Sequence, residues 1–198
     1  MLCNGGNTGA ASLFITNGTP PFSILWSTGA VDVTSIANLI AGNYSVDVTD
    51  DNGCFTTKNF TITQPDPISI GLAPTNITCF GSNNGTIDLT VTGGTYPQYS
   101  YSWSTSGKVI ANHQDLTLLG PGTYSVTVTD ENGCTTTASV GITQPAKLEG
   151  AYTYSDNLCF GQTIGSIDAT ITGGTLNYSY AWSGPSGYSN TTQDISGL

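Results

Sequence analysis

The chain has 198 residues, of which 37% are hydrophobic and only 8% are charged, and its 13 acidic side chains against 3 lysines give a net charge of −10. So few cations cannot neutralise a run of phosphates, which argues against nucleic-acid binding, and they form no basic patch for an anionic membrane surface. No apolar run reaches the roughly 18 residues of a membrane-spanning helix. The 25 glycines among abundant Thr, Ser and Asn favour short strands joined by tight turns.

The chain is a tandem repeat. Three leading cysteines (Cys3, Cys79 and Cys159) are 76 and 80 residues apart, and two trailing cysteines (Cys54 and Cys134) are 80 residues apart. The sequence around the cysteines also recurs, with Cys-x-Gly at the leading cysteines and Asp-x-Asn-Gly-Cys at the trailing ones. Self-similarity at a fixed period is typical of a repeat architecture.

We predict three repeats in chain order. Repeat 1 covers residues 1–65 and lacks its first strand, repeat 2 covers residues 66–145 and is complete, and repeat 3 covers residues 146–198 and is truncated at its C-terminal end. A short linker with a stiffening proline ends each of the first two repeats, at Gln64-Pro65 and Gln144-Pro145. Because the outer repeats are incomplete, we expect the chain to be a segment of a longer array.

The sequence of repeat 2 predicts β-strands along its whole length. Apolar and polar residues alternate loosely over residues 68–78 and clearly over residues 86–91, 99–103 and 124–129, which is the period of a half-buried strand. Asn132-Gly133 then predicts a hairpin, with residues 134–143 as the return strand. Six or seven short strands with a turn every 8–12 residues indicate a β-sandwich.

Two recurring aromatic positions indicate which kind of sandwich this is. Trp103, which recurs as Trp26 and Trp182, lies on the third strand of repeat 2, where immunoglobulin-like folds bury a tryptophan. Tyr44 and Tyr124 end the pattern Leu-x-x-Gly-x-Tyr, which has the form of a tyrosine corner. The predicted fold class is therefore all-β, built as tandem immunoglobulin-like β-sandwich repeats.

The cysteines are predicted to form disulfides within repeats. A leading cysteine ends the first strand and a trailing cysteine opens the last strand, and these strands are neighbours in many such sandwiches. We therefore predict the pairs Cys3–Cys54 and Cys79–Cys134, each worth roughly 4 kcal/mol of chain entropy, and a partner outside the chain for Cys159. Free buried thiols are the alternative, whereas zinc is disfavoured because no Cys-x-x-Cys spacing occurs. Disulfides would place the protein outside the cytoplasm.

Catalytic chemistry is sparse. The single histidine, His113, lies in a segment that differs between the repeats, so we interpret it as a solvated loop residue and not as the base of a triad. Adjacent carboxylates on a hairpin point apart, and nothing apolar nearby would raise the pKa of one of them. No glycine-rich loop precedes a helix, so no phosphate cradle is expected. We predict that the chain is not an enzyme and carries no cofactor.

The acidic hairpins are weak candidates for Ca²⁺ sites. Asp50 and Asp51 in repeat 1, and Asp130 and Glu131 in repeat 2, bring hard oxygen ligands together. Two or three ligands fall short of the six to eight that Ca²⁺ takes. We favour the simpler interpretation, in which the first Asp caps its own hairpin turn.

An aromatic stripe, Tyr99, Tyr101 and Trp103, raises the hypothesis of glycan stacking. Repeat 1 has Phe and Ile in place of the two tyrosines, an exchange that a core position tolerates. We therefore interpret the stripe as core. Residues that contact a ligand are expected in the segment 104–118, where the repeats differ.

Taken together, these motifs resemble the SprB repeat over nearly the whole chain. The pattern comprises Cys-x-Gly-x-x-x-Gly, Gly-Gly-Thr, an aromatic strand ending in Trp, Leu-x-x-Gly-x-Tyr-Ser-Val-x-Val-Thr-Asp-x-Asn-Gly-Cys, and Gln-Pro. Repeat 1 departs from it, with Ser12 where the other repeats have Asp and Asn17 where they have the first glycine of the pair. The resemblance implies a giant cell-surface adhesin of gliding Bacteroidetes, exported by type IX secretion and associated with the outer membrane.

The predicted function is a disulfide-tied stalk segment of such an adhesin, which supports surface attachment and gliding motility. Expected partners are a surface polysaccharide or solid substratum and other cell-envelope or gliding-machinery proteins, without nucleic acid and without direct membrane insertion. Two alternatives stay open at this point: a carbohydrate-binding or accessory module of a secreted polysaccharide-degrading protein, and a passive spacer.

Overall fold

The structure, a computed structural model, describes all residues 1–198 and consists of β-strands with one short 3-10 turn at Pro185–Gly187. Strand pairing falls into three groups, which we call domain 1 (residues 9–62), domain 2 (residues 69–142) and domain 3 (residues 149–196). No helix is long and apolar enough to cross a membrane.

Domain 1 has five strands: β1 Gly9–Ser12, β2 Ser23–Trp26, β3 Ser35–Leu39, β4 Gly42–Thr49 and β5 Phe55–Ile62. β1 pairs with β3 in one sheet, and the order β2-β4-β5 forms the other. All of these pairs are antiparallel.

Domain 2 has seven strands: β6 Ser69–Thr75, β7 Gly85–Thr92, β8 Tyr99–Thr105, β9 Lys108–Ala111, β10 Leu116–Leu119, β11 Gly122–Asp130 and β12 Thr135–Ile142. One sheet has the order β10-β7-β6 and the other β12-β11-β8-β9, with antiparallel pairs throughout. Two such sheets packed over one core are an immunoglobulin-like sandwich, so the predicted fold class is confirmed.

Domain 3 has five strands: β13 Glu149–Ser155, β14 Ser166–Thr172, β15 Trp182–Ser183, β16 Ser189–Asn190 and β17 Ile195–Ser196. The order β13-β14-β17 forms its larger sheet, and β15 pairs with β16. β13 and β14 therefore correspond to β6 and β7 of domain 2.

The core of domain 2 follows from the alternation along β11. Tyr124, Val126 and Val128 point inward, and both valines have an exposed fraction of 0%. Trp103, also at 0%, packs against them from β8. Burying one such aromatic or aliphatic side chain is worth roughly 1.5–3 kcal/mol, and this strand pair supplies four of the ten buried residues of the core.

Domain 1 has a smaller core because it has no counterpart of β6. In domain 2, Ile70 and Leu72 of β6 pack against the core. The corresponding side of domain 1 is an open apolar groove of about 360 Å³, lined by Leu13, Ile15 and Phe22 among others. Only four residues of domain 1 form its buried cluster, against ten in domain 2.

Tyrosine corners tie the loops that precede β4 and β11. The Tyr124 hydroxyl donates to the carbonyl oxygen of Gly120 at 3.0 Å, and the Tyr44 hydroxyl donates to that of Ile40 at 2.9 Å. In both cases the hydroxyl reaches four residues back, which is the hydrogen bond that the Leu-x-x-Gly-x-Tyr pattern predicts.

The predicted disulfide pairs Cys3–Cys54 and Cys79–Cys134 are wrong. Cys3 is bonded instead to Cys134 of the next domain, with the two Cα atoms 5.7 Å apart. Cys54, Cys79 and Cys159 are free and exposed. The single disulfide therefore links two domains, and it does not cross-link the strands of one domain.

The reason is the direction of the first and last strands of a domain. The N–H of Ile77, just after β6, donates to the carbonyl oxygen of Thr143, just after β12, so the two strands end at the same end of the sandwich. Cys79 lies beyond the end of β6, whereas Cys134 lies before the start of β12. The eight residues of β12 separate these ends by roughly 26 Å, far beyond the reach of a disulfide.

Candidate functional site at the domain junction

The leading-cysteine turn of domain 1 folds onto the linker that leaves the same domain. The N–H of Gly5 donates to Gln64 Oε1 at 2.8 Å, and Asn4 Nδ2 donates to the carbonyl oxygen of Pro65 at 3.0 Å. The linker glutamine thus holds the turn at the end of domain 1 that faces domain 2. As a result, Cys3 lies beside the next domain.

The trailing hairpin of domain 2, residues 130–134, is organised by one buried carboxylate. Asp130 Oδ1 accepts the N–H groups of Asn132 at 3.0 Å and Cys134 at 2.9 Å, and Oδ2 accepts the N–H of Thr95 at 2.9 Å. Asn132 Nδ2 donates to the Thr95 hydroxyl oxygen at 2.9 Å. These bonds tie the hairpin to the turn that contains Thr95 and present Cys134 at the end of domain 2 where the linker enters.

Two contacts join the leading-cysteine turn of domain 1 to the trailing hairpin of domain 2. The Cys3–Cys134 disulfide is the covalent one, and Asn132 Nδ2 also donates to the carbonyl oxygen of Leu2 at 3.1 Å. The residue that stabilises the hairpin therefore also contacts the preceding domain.

A glycine lets the linker pass close to the same end of domain 2. Gly93 has φ +75°, and a Cβ at this position would collide with the carbonyl oxygen of Pro67. The neighbouring N–H of Gly94 donates to the carbonyl oxygen of Asp66 at 2.8 Å. The Gly-Gly-Thr motif is thus required by the backbone of the linker, which explains why it recurs with the repeat.

The trailing hairpin of domain 1 has the same network. Asp50 Oδ1 accepts the N–H groups of Asn52 at 3.0 Å and Cys54 at 2.9 Å, and Oδ2 accepts the N–H of Thr19 at 3.2 Å. The hydrogen bonds from Cys54, Thr19 and Asn52 stabilise the carboxylate and hold the pKa of Asp50 below its ordinary value, while desolvation acts in the opposite direction.

The Ca²⁺ candidates lie on these two hairpins. Asp50 and Asp130 use both carboxylate oxygens as acceptors for backbone N–H groups, and Asp51 and Glu131 are exposed on the turns. No three His, Cys, Asp or Glu side chains converge as a potential metal site. The donor geometry fits the capping of a hairpin, which is the interpretation favoured from the sequence, and Ca²⁺ binding stays the alternative.

The aromatic stripe packs at the core and does not form a flat exposed face. The Tyr99 hydroxyl donates to the carbonyl oxygen of Gly93, and the Tyr101 hydroxyl donates to Gln114 Oε1 at 3.4 Å. Both rings pack against the core cluster that contains Trp103. Desolvation raises the pKa of Tyr101, with smaller contributions from Tyr99 and Asp115.

The three tryptophans share one hydrogen-bond pattern. The indole N–H donates to a backbone carbonyl in the following loop: that of Val33 for Trp26, His113 for Trp103 and Thr192 for Trp182. Trp26 and Trp103 are buried, whereas Trp182 is half-buried in the smaller domain 3. His113 therefore contributes its backbone to the core, while the residue itself is exposed.

The segment 104–118 contains a pair that the sequence reading missed. Gln114 Nε2 donates to the carbonyl oxygen of Leu89 at 2.6 Å, and Asp115 Oδ1 accepts the Leu89 N–H at 3.0 Å. Gln193 and Asp194 make the same two bonds to Ala169 in domain 3. The recurrence of Gln-Asp before an apolar residue in repeats 2 and 3 was the available signal. Val109 on β9 and Leu118 on β10 are both exposed within this segment.

The fold and the junction define the class of protein: a tandem array of immunoglobulin-like domains with a covalent link between consecutive domains. A family model described as SprB repeat matches residues 1–31, 71–108 and 151–187, more than half of the chain. The chain belongs to the SprB-repeat family. SprB repeats are found in cell-surface proteins, and membership supports an extracellular repeat module of the adhesin type.

Solved structures resemble the chain at low identity. The three N-terminal domains of the bacteriophage RB49 Highly Immunogenic Outer Capsid protein (Hoc) match over 98% of this chain and 76% of that chain, with a TM-score of 0.52 and 16% identity. The amphioxus IgVJ-C2 molecule matches over 71% of this chain and 98% of that chain, with a TM-score of 0.34 and 17% identity. No curated protein matches the sequence.

Proposed function

We propose that residues 1–198 are part of the stalk of a large cell-surface adhesin that supports attachment and gliding motility. The observation that carries the proposal is the Cys3–Cys134 bond between consecutive domains of a SprB-repeat chain. A covalent link at a junction transmits tension even when the domains on either side unfold. A stalk needs this property, because it holds a distal binding region away from the cell.

The stalk acts mechanically and not as an enzyme. Its only histidine is exposed and contributes a backbone carbonyl to the core, and its hairpin carboxylates are used as caps. In this proposal the protein reaches the surface by type IX secretion and stays associated with the outer membrane, as the SprB resemblance implies.

Binding in this proposal is weak and repeated. The outer strands are rich in Thr and Ser and carry few charges, for example along β12, where exposed and half-buried residues alternate. Such surfaces make many weak contacts with a polysaccharide or a solid substratum, and multiplicity raises avidity without any single strong site. Gliding-machinery or other envelope proteins would hold the base of the stalk.

Surface labelling on living cells tests the proposal. An antibody against residues 1–198 is applied to unpermeabilised cells of the source organism, and the label is filmed while the cells move on glass. We expect external label that travels along the cell. External but stationary label would refute the motility role and leave static adhesion or a spacer, and label that appears only after lysis would refute the surface location.

A further inference from the structure

We propose that the disulfides of this array follow one rule: the leading cysteine of each repeat bonds to the trailing cysteine of the next repeat. Cys3–Cys134 is one instance. Cys79 and Cys54 are then the leading and trailing halves of further junctions with neighbouring repeats. The inference goes beyond the proposed stalk function and depends on geometry alone, so it holds whether or not the array mediates adhesion.

The leading half of the junction is built in the same way at Cys79 as at Cys3. The carbonyl oxygen of Cys3 accepts the N–H of the residue three positions on at 3.2 Å, and that of Cys79 does so at 3.1 Å. The N–H of Gly81 donates to Gln144 Oε1 at 2.9 Å, as that of Gly5 does to Gln64 at 2.8 Å. The linker glutamine thus directs both cysteines towards the following domain.

The trailing half is built in the same way at Cys54 as at Cys134. Each cysteine donates its N–H to the capping aspartate at 2.9 Å. Asn52 Nδ2 donates to the Thr19 hydroxyl oxygen at 3.0 Å, just as Asn132 does to Thr95. Asn132 makes one bond more, to Leu2 of the preceding domain, and this contact is the one that a preceding repeat would add at Asn52.

The second junction is already half assembled around Cys79. This cysteine lines a space of about 420 Å³ together with Pro145, Leu148 and Gly174, which belong to the linker and domain 3. At the first junction Cys3 shares a space with Pro65, Ile68, Gly94 and Cys134, and the linker bond recurs from Gly174 N–H to the carbonyl oxygen of Ala146 at 2.8 Å. The open side beside Cys79 therefore corresponds to the place where Cys134 lies at the first junction.

Each bond forms by oxidation of two thiols. The two sulfur atoms lose two protons and two electrons, and a small-molecule or oxidoreductase disulfide takes them up and becomes two thiols. Exposure of Cys54 and Cys79 gives such an oxidant access. An oxidising compartment outside the cytoplasm supplies it.

The rule produces overlapping covalent loops. The Cys3–Cys134 loop spans 131 positions and encloses Cys79, so the next loop begins before the previous one closes. Every repeat inside such an array lies within at least one loop. Tension then passes from disulfide to disulfide and leaves most of each domain outside the load path.

The test uses a longer variant in which domain 3 gains the C-terminal half of a repeat, copied from repeat 2. Residues 120–145 are repeated after Leu198, which aligns with Leu119, so the extended chain gains a copy of the Cys134 hairpin in repeat 3. The protein is oxidised with glutathione disulfide, free thiols are alkylated, and cross-linked peptides are mapped without reduction. We expect Cys79 linked to the added cysteine and Cys3 linked to Cys134, with Cys54 and Cys159 alkylated.

Two variants serve as matched controls. Cys79→Ser should leave the added cysteine free for alkylation, whereas Cys159→Ser should leave the new cross-link intact. A bond between Cys159 and the added cysteine, or a free Cys79 beside a closed Cys3–Cys134 bond, would overturn the rule. If the extended chain does not fold, the same mapping on the array secreted by the source cells decides, since cross-links within single repeats would equally overturn it.

Discussion

The N–H of Cys134 donates to Asp130 Oδ1 at 2.9 Å, four residues back along the chain. The carboxylate that closes the trailing hairpin therefore also fixes the backbone of the cysteine that is bonded to Cys3. Because Asp130 is buried, its carboxyl oxygens need hydrogen-bond donors from the protein, and these N–H groups supply them. Hairpin stability and the position of the covalent junction are thus set by one side chain.

Replacing Asp130 by alanine should destabilise domain 2. The change removes three hydrogen bonds to a charged acceptor and leaves the N–H groups of Thr95, Asn132 and Cys134 without this partner. We expect the free energy of unfolding to fall by about 3 kcal/mol, measured by guanidinium denaturation of the oxidised chain. The control Asp88→Ala removes an exposed carboxylate of β7 and should change it by less than about 0.5 kcal/mol. Equal losses in the two variants would contradict the role of Asp130.

Domain 1 should lose stability in acid through Asp50. The pKa of this carboxyl group is depressed in the folded state, so its contribution is complete above the unfolded pKa of about 3.9 and is lost as the pH falls through the folded value. Asp50→Asn should therefore be less stable than the parent near neutral pH, and the difference should shrink below about pH 4. Thermal unfolding across this range measures it, and a difference that does not change with pH would refute the linkage.

The sequence predicts the sandwich well because its signals are local. The alternation at Tyr124, Val126 and Val128 indicates a strand with one buried face, and the spacing from Gly120 to Tyr124 indicates the corner hydrogen bond. Each of these features depends on residues a few positions apart. Local periodicity is therefore sufficient to predict them.

The junction could not be predicted from the same signals. The pairing of Cys3 depends on the end of the domain at which its turn lies, and this follows from the parallel course of β6 and β12, which alternation does not encode. The requirement for Gly93 comes from the carbonyl oxygen of Pro67, 26 positions earlier in the chain. The Asp115 side chain accepts the Leu89 N–H, which in a regular sheet would bond to the backbone of a neighbouring strand. Alternation of polar and apolar residues does not reveal a bond of this kind.

Alanine at Gly93 and at Gly133 should differ in cost although both glycines have positive φ. A Cβ at Gly133 would have no atom within 4 Å. Gly133→Ala should therefore lower the free energy of unfolding only through the strain of alanine in a left-handed backbone conformation, by about 1 kcal/mol. Gly93→Ala adds a collision with the carbonyl oxygen of Pro67, so we expect about 3 kcal/mol in total. Denaturant midpoints of the two variants measure the difference. Similar midpoints would show that the linker does not pass Gly93 as the structure has it.

Pulling the full chain by its ends should reveal the path of the load. With Cys3–Cys134 closed, the residues between them cannot extend, so complete unfolding should give a contour length about 470 Å shorter than in the reduced chain, from 131 positions at about 3.6 Å each. Cys3→Ser should behave like the reduced chain, because the bond is lost. Cys79→Ser should behave like the oxidised parent, because Cys79 is free. A shortening that corresponds to only 51 or 55 positions would instead indicate bonds within one repeat, Cys3–Cys54 or Cys79–Cys134.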